Sequence, residues 1–135
     1  MKIGFTAGAY DLGPHAGHVA MLSEAKANCD YLIVGLHTNP QIDRPEKNKP
    51  VQTVSERYFA LKACRYVDEI IPYETEGELE QLLLLLMPDV RFLGSDYKDR
   101  IDYTGAGLKG IEIHFCKREH NISSSGIRKR LGYLE

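Results

Sequence analysis

The chain has 135 residues, of which 43% are hydrophobic and 27% are charged, and its formal net charge is −2. This length suits one globular domain, so we expect a single domain over residues 1–135. The near-neutral charge argues against a generally basic surface, and we expect neither a nucleic-acid partner nor an anionic membrane partner. The longest apolar run, residues 82–87, is far shorter than the roughly 20 residues of a membrane span, which leads us to expect a cytoplasmic protein.

The cysteine pattern limits the chemistry further. Cys29, Cys64 and Cys116 are widely spaced and contain no Cys-x-x-Cys pair. This spacing argues against both a disulfide framework and a structural zinc site. We therefore expect free thiols and no metal site built from side chains.

Apolar runs of strand length alternate with helical spacings along the chain. Residues 2–6 predict a strand, residues 17–28 predict a helix, and residues 31–36 form an apolar run typical of strands buried on both faces of a parallel sheet. Residues 37–52 contain three prolines and no periodicity, which predicts a long loop. The further predicted elements are a helix at 53–65, a strand at 69–71, a helix at 76–87, strands at 90–93 and 111–115, and a helix at 123–131.

This alternation predicts an α/β fold, a Rossmann-like three-layer sandwich with a five-stranded parallel sheet and right-handed crossovers. Ligands of such sheets bind outside the carboxyl ends of the strands, at the point where the strand order reverses. Four predicted loops meet at this edge, at residues 7–15, 37–52, 94–110 and 117–125. We therefore expect a nucleotide site at the C-terminal edge of the sheet.

The sharpest local signal is His15-Ala16-Gly17-His18 at the start of the first predicted helix. The i, i+3 spacing of His15 and His18 places both imidazoles on one side of the first turn, beside backbone N–H groups that lack helical partners. Such donors can bind a phosphate chain and stabilise the charge that develops when it is cleaved. Alternatively, His18 could cap or pack against the helix while His15 is solvated, or the pair could ligate a metal, although no nearby carboxylate or third histidine completes a metal site.

Several motifs resemble one family. Gly-Ala-Tyr-Asp-Leu at residues 8–12, followed by His-x-Gly-His, resembles the signature of the nucleotidyltransferase superfamily, whose cytidylyltransferase branch includes glycerol-3-phosphate cytidylyltransferase. Ile-Ser-Ser-Ser at residues 122–125, preceded by Arg118, resembles a second signature of that branch. Residues 55–57, 65–69 and 94–97 resemble its middle helix, its following strand and the loop after its fourth strand. The resemblance covers essentially the whole chain, with the motifs in the family's order.

The resemblance implies roles for particular residues. His15 and His18 would contact the triphosphate and stabilise the transition state, and Lys49 would bind phosphate from the long loop, with Lys47 aligned less surely. Arg118 would bind phosphate beside the last helix. The implied nucleotide-binding residues are Ala9, Tyr10, Arg57, Arg65, Asp96, Ile122, Ser123, Ser124 and Ser125. Lys47 and Lys49 could instead be solvated loop charges, and Arg128, Lys129 and Arg130 could form a solvated face or interact favourably with the C-terminus of the last helix.

The chain departs from the family pattern at two positions. Residues 8–18 are one residue longer than the usual signature, with Gly13-Pro14 where one bulky residue is common. The position of His15 therefore depends on how this insertion folds. Ala9 replaces a frequent threonine, which leaves only backbone donors at that position.

General chemistry is consistent with the resemblance. A phosphate monoester is largely dianionic at neutral pH, because its second pKa is near 6, so its oxygen needs no general base to attack an α-phosphate. Catalysis then reduces to positioning and charge stabilisation, and the sequence shows no carboxylate dyad or Ser/His/Asp arrangement. We expect Mg²⁺, bound mainly through the triphosphate.

These observations predict an enzyme that transfers CMP from CTP to a small phosphorylated acceptor and releases pyrophosphate. The resemblance favours glycerol 3-phosphate as the acceptor. An adenylyltransferase acting on ATP and a sugar phosphate would use the same mechanism, and a nucleotide-binding module without turnover is a third hypothesis. The resemblance also implies a homodimer, which spacing and composition do not show.

Overall fold

The computed structural model describes residues 1–47, 49–117 and 122–132. Within them the chain forms five strands, four α-helices and a 3-10 turn at Ser95–Tyr97. The strands are β1 (Ile3–Gly8), β2 (Tyr31–His37), β3 (Glu69–Tyr73), β4 (Val90–Gly94) and β5 (Glu112–Cys116). The helices are α1 (Ala16–Ala27), α2 (Val54–Lys62), α3 (Glu76–Leu86) and α4 (Ser124–Arg130).

The five strands form a parallel sheet in the order β3-β2-β1-β4-β5, which confirms the predicted Rossmann-like fold. Several strands extend further towards their carboxyl ends than the sequence predicted. The β1 ladder continues to Gly8, which pairs with Leu36, and the β2 ladder continues to His37, which pairs with Tyr73. The sheet therefore carries His37 and Tyr73 to the edge where the loops meet.

Helices cover both faces of the sheet. Leu22 of α1 and Leu61 of α2 are fully buried in one cluster with Val34 of β2. On the opposite face, Leu83 of α3 packs in a second cluster with Phe5 of β1. These two clusters form the two hydrophobic layers on either side of the sheet, as the three-layer prediction requires.

The chain order places the reversal point of the sheet next to β1. Strands β2 and β3 lie on one side of β1, and the chain then crosses to β4 on the other side. The loops that follow β1 and β4 therefore diverge at their carboxyl ends and leave room for a ligand. No helix in the described part of the chain is both long enough and apolar enough to cross a bilayer.

Candidate active site

A cleft of about 540 Å³ lies at the carboxyl ends of β1 and β4. The turn after β1, the first turn of α1 and the start of α4 form part of its wall, and the loop after β2 and the segment after β4 form the rest. His15 and His18 both line it. The structure thus brings the two histidines to the edge of the sheet that the sequence predicted.

His15 and His18 cap α1 reciprocally. His15 is the N-cap residue, and its Nδ1 accepts hydrogen bonds from the N–H groups of Gly17 (3.1 Å) and His18 (3.3 Å). In return, the His18 Nδ1 accepts from the N–H of His15 at 3.2 Å. The two imidazoles therefore form a capping box in which the N-cap and N3 side chains are both histidines.

This capping box fixes the tautomer of both rings. Because each Nδ1 accepts a backbone N–H, the ring proton of each neutral imidazole must lie on Nε2. The rings stack with their centroids 3.6 Å apart, and the His15 Nε2 lies 3.4 Å from the Ser124 hydroxyl. Burial, together with the neighbouring His15, lowers the pKa of His18 to about 3, so His18 is neutral at physiological pH.

The donors of the site therefore differ from those that the sequence suggested. The N–H groups of Gly17 and His18 donate to His15 and do not point freely into the cleft. The capping and phosphate-binding interpretations of the histidines are compatible, because capping uses Nδ1 and leaves Nε2 as the ring donor. Both imidazoles line the cleft, so their Nε2–H groups, rather than these two backbone N–H groups, are the candidate donors to a phosphate.

The extra residue of the signature is accommodated between β1 and α1. Tyr10 and Leu12 both adopt left-handed backbone conformations, with φ of 53° and 57°. Gly13 packs against the capping box, since a Cβ there would lie 2.3 Å from the His15 nitrogen and 2.4 Å from the His18 Nδ1. The insertion thus leaves His15 at the N-cap, and the close approach of Gly13 leaves no room for a side chain.

Asp11 connects the first turn to two distant segments. Its carboxylate accepts the N–H groups of Val51 (2.8 Å) and Gln52 (3.0 Å) and forms a buried ion pair with Arg128 of α4. Its carbonyl oxygen accepts from the Ser124 hydroxyl at 3.0 Å. Burial alone would raise the pKa of Asp11, but the bonds from Gln52 and Val51 and the charge of Arg128 outweigh it, so the pKa lies below its ordinary value.

Arg57 of α2 holds the backbone of the loops that surround Asp11. Its side chain is 1% exposed, and its guanidinium donates to four backbone carbonyl groups. The acceptors are the carbonyl oxygens of Ala9 (3.0 Å), His37 (2.8 Å), Thr38 (2.8 Å) and Gln52 (3.3 Å). The structure therefore places Arg57 as a clamp on two loops of the site, those that follow β1 and β2, where it acts through the backbone.

The other predicted residues lie in several different places. The residues that line the cleft are Ala9, Tyr10, Asp96, Ile122, Ser123, Ser124 and Ser125. Lys49 is exposed and lies outside the cleft wall, whereas Lys47 lines it. Arg65 lies in a separate shallow depression beside Gly13, with its guanidinium over the Tyr66 ring. Arg118 lies outside the described residues.

The last helix contributes more than the sequence indicated. Ser123 is its N-cap and accepts the N–H of Gly126 at 3.0 Å. Arg128 is buried against Asp11, so the interpretation of this arginine as part of a solvated face was wrong. Its partner lies 117 positions away in the sequence, and no local pattern could indicate the pair.

Tertiary folding also brings together a group of potential metal ligands that the sequence did not reveal. The ligand atoms of Glu24, His114 and Cys116 lie within 4.8 Å of one another. Hydrogen bonds account for this group, because Glu24 accepts from the His114 ring at 2.7 Å and from the Lys117 N–H at 3.0 Å. Burial raises the pKa of the Cys116 thiol to about 12, which keeps it protonated.

The comparison with known families decides the classification. The family model described as cytidylyltransferase-like matches residues 5–130. The chain belongs to this family. Membership assigns it to the nucleotidyltransferases.

Curated relatives of this family member include the bifunctional protein HldE of several bacteria. The chain is 34% identical to the Helicobacter pylori protein over 96% of its own length, and 30% identical to the Granulibacter bethesdensis protein over 99%. These matches cover only 27% and 28% of the relatives' lengths. The chain thus spans roughly a quarter of each.

Solved structures show the same fold. A lipopolysaccharide core biosynthesis protein from Thermoplasma volcanium superposes with a TM-score of 0.68 and 22% identity, covering 90% of this chain and 99% of that one. Pantothenate synthetase from Thermus thermophilus gives a TM-score of 0.67 and 15% identity, covering 94% and 61%. At these identities the likeness concerns the fold.

We predict that Gly13→Ala destabilises the protein by about 1–3 kcal/mol, because the new methyl group would overlap the capping box. Urea unfolding measures this cost. Gly107→Ala is the matched control, since a Cβ at Gly107 meets no atom within 4 Å. Equal stability of the two variants would show that Gly13 does not constrain the histidines.

His18 makes folding stability dependent on pH. Its pKa is about 3 in the folded protein and near 6.5 when unfolded, so the unfolded chain takes up a proton as the pH falls below 6.5. The free energy of unfolding should therefore fall by up to about 1.4 kcal/mol per pH unit between pH 6.5 and 4.5. In His18→Asn, whose amide oxygen can replace Nδ1, urea titrations at several pH values should show a shallower slope, and an unchanged slope would contradict this.

Asp11→Asn should destabilise the protein by about 3 kcal/mol, because it leaves Arg128 buried without its anion. The amide nitrogen would also face one of the donors that the carboxylate now accepts. Thermal and urea unfolding measure the loss, with Asp99→Asn, at an exposed aspartate, as the control. Similar stabilities for the two variants would show that Asp11 does not hold the loops.

Proposed function

We propose that this protein transfers a nucleoside monophosphate from a nucleoside triphosphate to a sugar phosphate and releases pyrophosphate. The paired imidazoles of His15 and His18 at the start of α1, with their ring protons on Nε2, carry this proposal. Family membership supports nucleotidyl transfer as the reaction class.

In the proposed reaction, an oxygen of the acceptor phosphate attacks the α-phosphorus of the triphosphate. The new bond joins this oxygen to phosphorus, while the bond from the α-phosphorus to the bridging oxygen breaks and pyrophosphate leaves with the electron pair. No proton has to move, because the acceptor oxygen is already anionic. The Nε2–H groups of His15 and His18 would donate to phosphate oxygens whose negative charge grows in the transition state.

The neutral state of His18 suits this role. A neutral imidazole donates through Nε2 without accepting a proton from the nucleophile, and its position is fixed by the bond from the His15 N–H to its Nδ1. The cleft is therefore organised for positioning and charge stabilisation rather than acid–base transfer.

Mg²⁺ would enter with the triphosphate. The Asp11 carboxylate is engaged by two backbone N–H groups and Arg128, so it is not a ready metal ligand. The other carboxylates of the described cleft wall are Asp96, which is exposed, and Glu76, which accepts from the Thr104 hydroxyl. This sparse supply of anionic ligands fits an ion held mainly by phosphate oxygens and water, and such an ion would neutralise phosphate charge.

The relatives favour adenylyl transfer from ATP to a sugar phosphate over cytidylyl transfer from CTP to glycerol 3-phosphate. The resemblance in the sequence alone had suggested the reverse order. The family supports a nucleoside triphosphate and a sugar phosphate as the substrate classes. A homodimer and a cytoplasmic location remain part of this proposal as predictions.

A substrate screen tests the proposal. ATP, CTP, GTP and UTP, each with Mg²⁺, are combined with sugar 1-phosphates, glycerol 3-phosphate and other phosphomonoesters, and pyrophosphate release and coupled products are measured. We expect ATP with a sugar phosphate to give the fastest turnover. Products only with CTP would restore the cytidylyl hypothesis, and triphosphate binding without any product would favour a binding module.

In the same assay, His18→Asn should lower kcat by about 100-fold to 1,000-fold, because it removes one donor to the transition state while keeping the acceptor for the His15 N–H. His114→Asn is the control, since this histidine does not line the cleft. A His18→Asn enzyme of normal activity would remove His18 from the mechanism.

A further inference from the structure

The cleft has a second end that the reaction above does not use. It lies on the face of the sheet covered by α3 and contains Tyr73, Glu76, Arg91 and Tyr103, which together we call the acceptor pocket. Arg91 of β4 pairs with Phe5 of β1, whose side chain packs against α3. The acceptor pocket therefore belongs to the face opposite to α1, and it is continuous with the cleft that contains the histidines.

Arg91 is buried like Arg57, but among the described residues it donates to one backbone carbonyl group where Arg57 donates to four. The Arg91 side chain is 4% exposed, and it forms no salt bridge with any carboxylate of residues 1–47, 49–117 or 122–132. Arginine is seldom buried in this way without a partner, because removing its charge from water is costly. Burial lowers the pKa of the Arg91 guanidinium accordingly.

The hydrogen bonding of Arg91 is incomplete. Its Nη1 donates to the carbonyl oxygen of Thr104, and its guanidinium lies 5.5 Å from the centre of the Tyr103 ring. Its Nε is buried and has no hydrogen-bond partner among the described residues. Native proteins rarely leave a buried donor unpaired, and such a group at a cleft wall is a candidate donor to a ligand.

An acceptor group lies beside this donor. Glu76, in the first turn of α3, is half-buried, and its Oε2 accepts from the Thr104 hydroxyl at 2.8 Å. Thr104 thus bonds to Arg91 through its carbonyl and to Glu76 through its side chain. A cationic donor and an anionic acceptor so arranged suit hydroxyl groups, which both accept and donate. The Glu76 charge would repel a second anionic group.

The aromatic side chains of the acceptor pocket also suit a hydroxyl-bearing ligand. The rings of Tyr73 and Tyr103 line the same end of the cleft, and Tyr73 stacks on His37 with the ring centres 4.6 Å apart. Aromatic rings offer apolar faces to the C–H groups of a sugar, while the polar groups fix its orientation. A chain of several hydroxyl-bearing carbons would use both kinds of contact.

We propose that the acceptor pocket binds the polyhydroxylated part of the acceptor, with Arg91 donating to its hydroxyl groups and Glu76 accepting from them. This inference rests on the proposed function, because the reacting phosphate of the same molecule would face His15 and His18. Arg91 and Glu76 are then specificity residues, remote from the transferred phosphorus.

Direct binding tests the inference without turnover. Calorimetry measures the affinity of the whole protein for sugar 1-phosphates and, separately, for ATP with Mg²⁺. Glu76→Gln keeps an oxygen for the Thr104 hydroxyl and removes the charge, and we expect sugar-phosphate affinity to fall by about tenfold or more. The affinity for ATP should stay within about twofold, and Glu80→Gln, at an exposed position of α3, should change neither.

Arg91→Lys provides the second variant and should weaken sugar-phosphate binding to a similar extent. Because Arg91 also donates to the Thr104 carbonyl, the thermal stability of the Arg91→Lys variant is measured in parallel. If this variant does not fold, the Glu76→Gln variant alone tests the pocket. Deoxy sugar phosphates give a readout that a structural role would not move. An analogue that lacks the bonded hydroxyl should bind the wild type about tenfold more weakly, but bind Glu76→Gln nearly as well as its parent sugar.

Each result separates the two proposals. The acceptor-pocket proposal is overturned if sugar phosphates bind both variants as tightly as the wild type, or if they fail to bind the wild type. This conclusion holds whatever the enzyme assay shows. Tighter binding of a doubly anionic acceptor by Glu76→Gln would replace the hydroxyl-binding pocket by an anion-binding one. If sugar phosphates bind the wild type and the variants as expected but no triphosphate gives a product, the acceptor-pocket proposal is supported and the proposal of nucleotidyl transfer is overturned.

Discussion

The site depends on one buried carboxylate. Asp11 receives N–H groups from the end of the long loop after β2 and an ion pair from α4, while its carbonyl oxygen holds Ser124. These segments approach the cleft from different directions and have no regular ladder to join them. A charge shared by several donors can hold such loops in one arrangement, because each bond strengthens the others in a water-poor environment.

Arg57 provides the complementary restraint from inside the domain. Asp11 accepts from backbone N–H groups, whereas Arg57 donates to backbone carbonyl groups at the loops that follow β1 and β2. The irregular segments of the cleft thus satisfy their polar groups through two buried charges of opposite sign. This arrangement fixes the loops on which a ligand would rest without requiring secondary structure there.

The two ends of the cleft, on opposite faces of the sheet, carry different kinds of polar groups. On the α1 side, His15 and His18 are held by mutual capping and present ring donors suited to phosphate. On the α3 side, a buried guanidinium, a carboxylate and tyrosine rings form a surface suited to hydroxyl groups. The reversal of strand order at β1 joins the two sides, so the proposed triphosphate and sugar phosphate would meet above the same strand.

Periodicity and capping act between near neighbours, so they predicted the order of strands and helices along the chain and placed His15 and His18 at the start of the first helix. The signature motifs also indicated the family and the cleft segments at both ends of the chain. Three features emerged only in the folded structure: the pairing of Asp11 with Arg128, the role of Arg57 as a loop clamp and the burial of Arg91. Each of these depends on residues far apart in sequence that meet where strands end, and no local pattern encodes such a meeting.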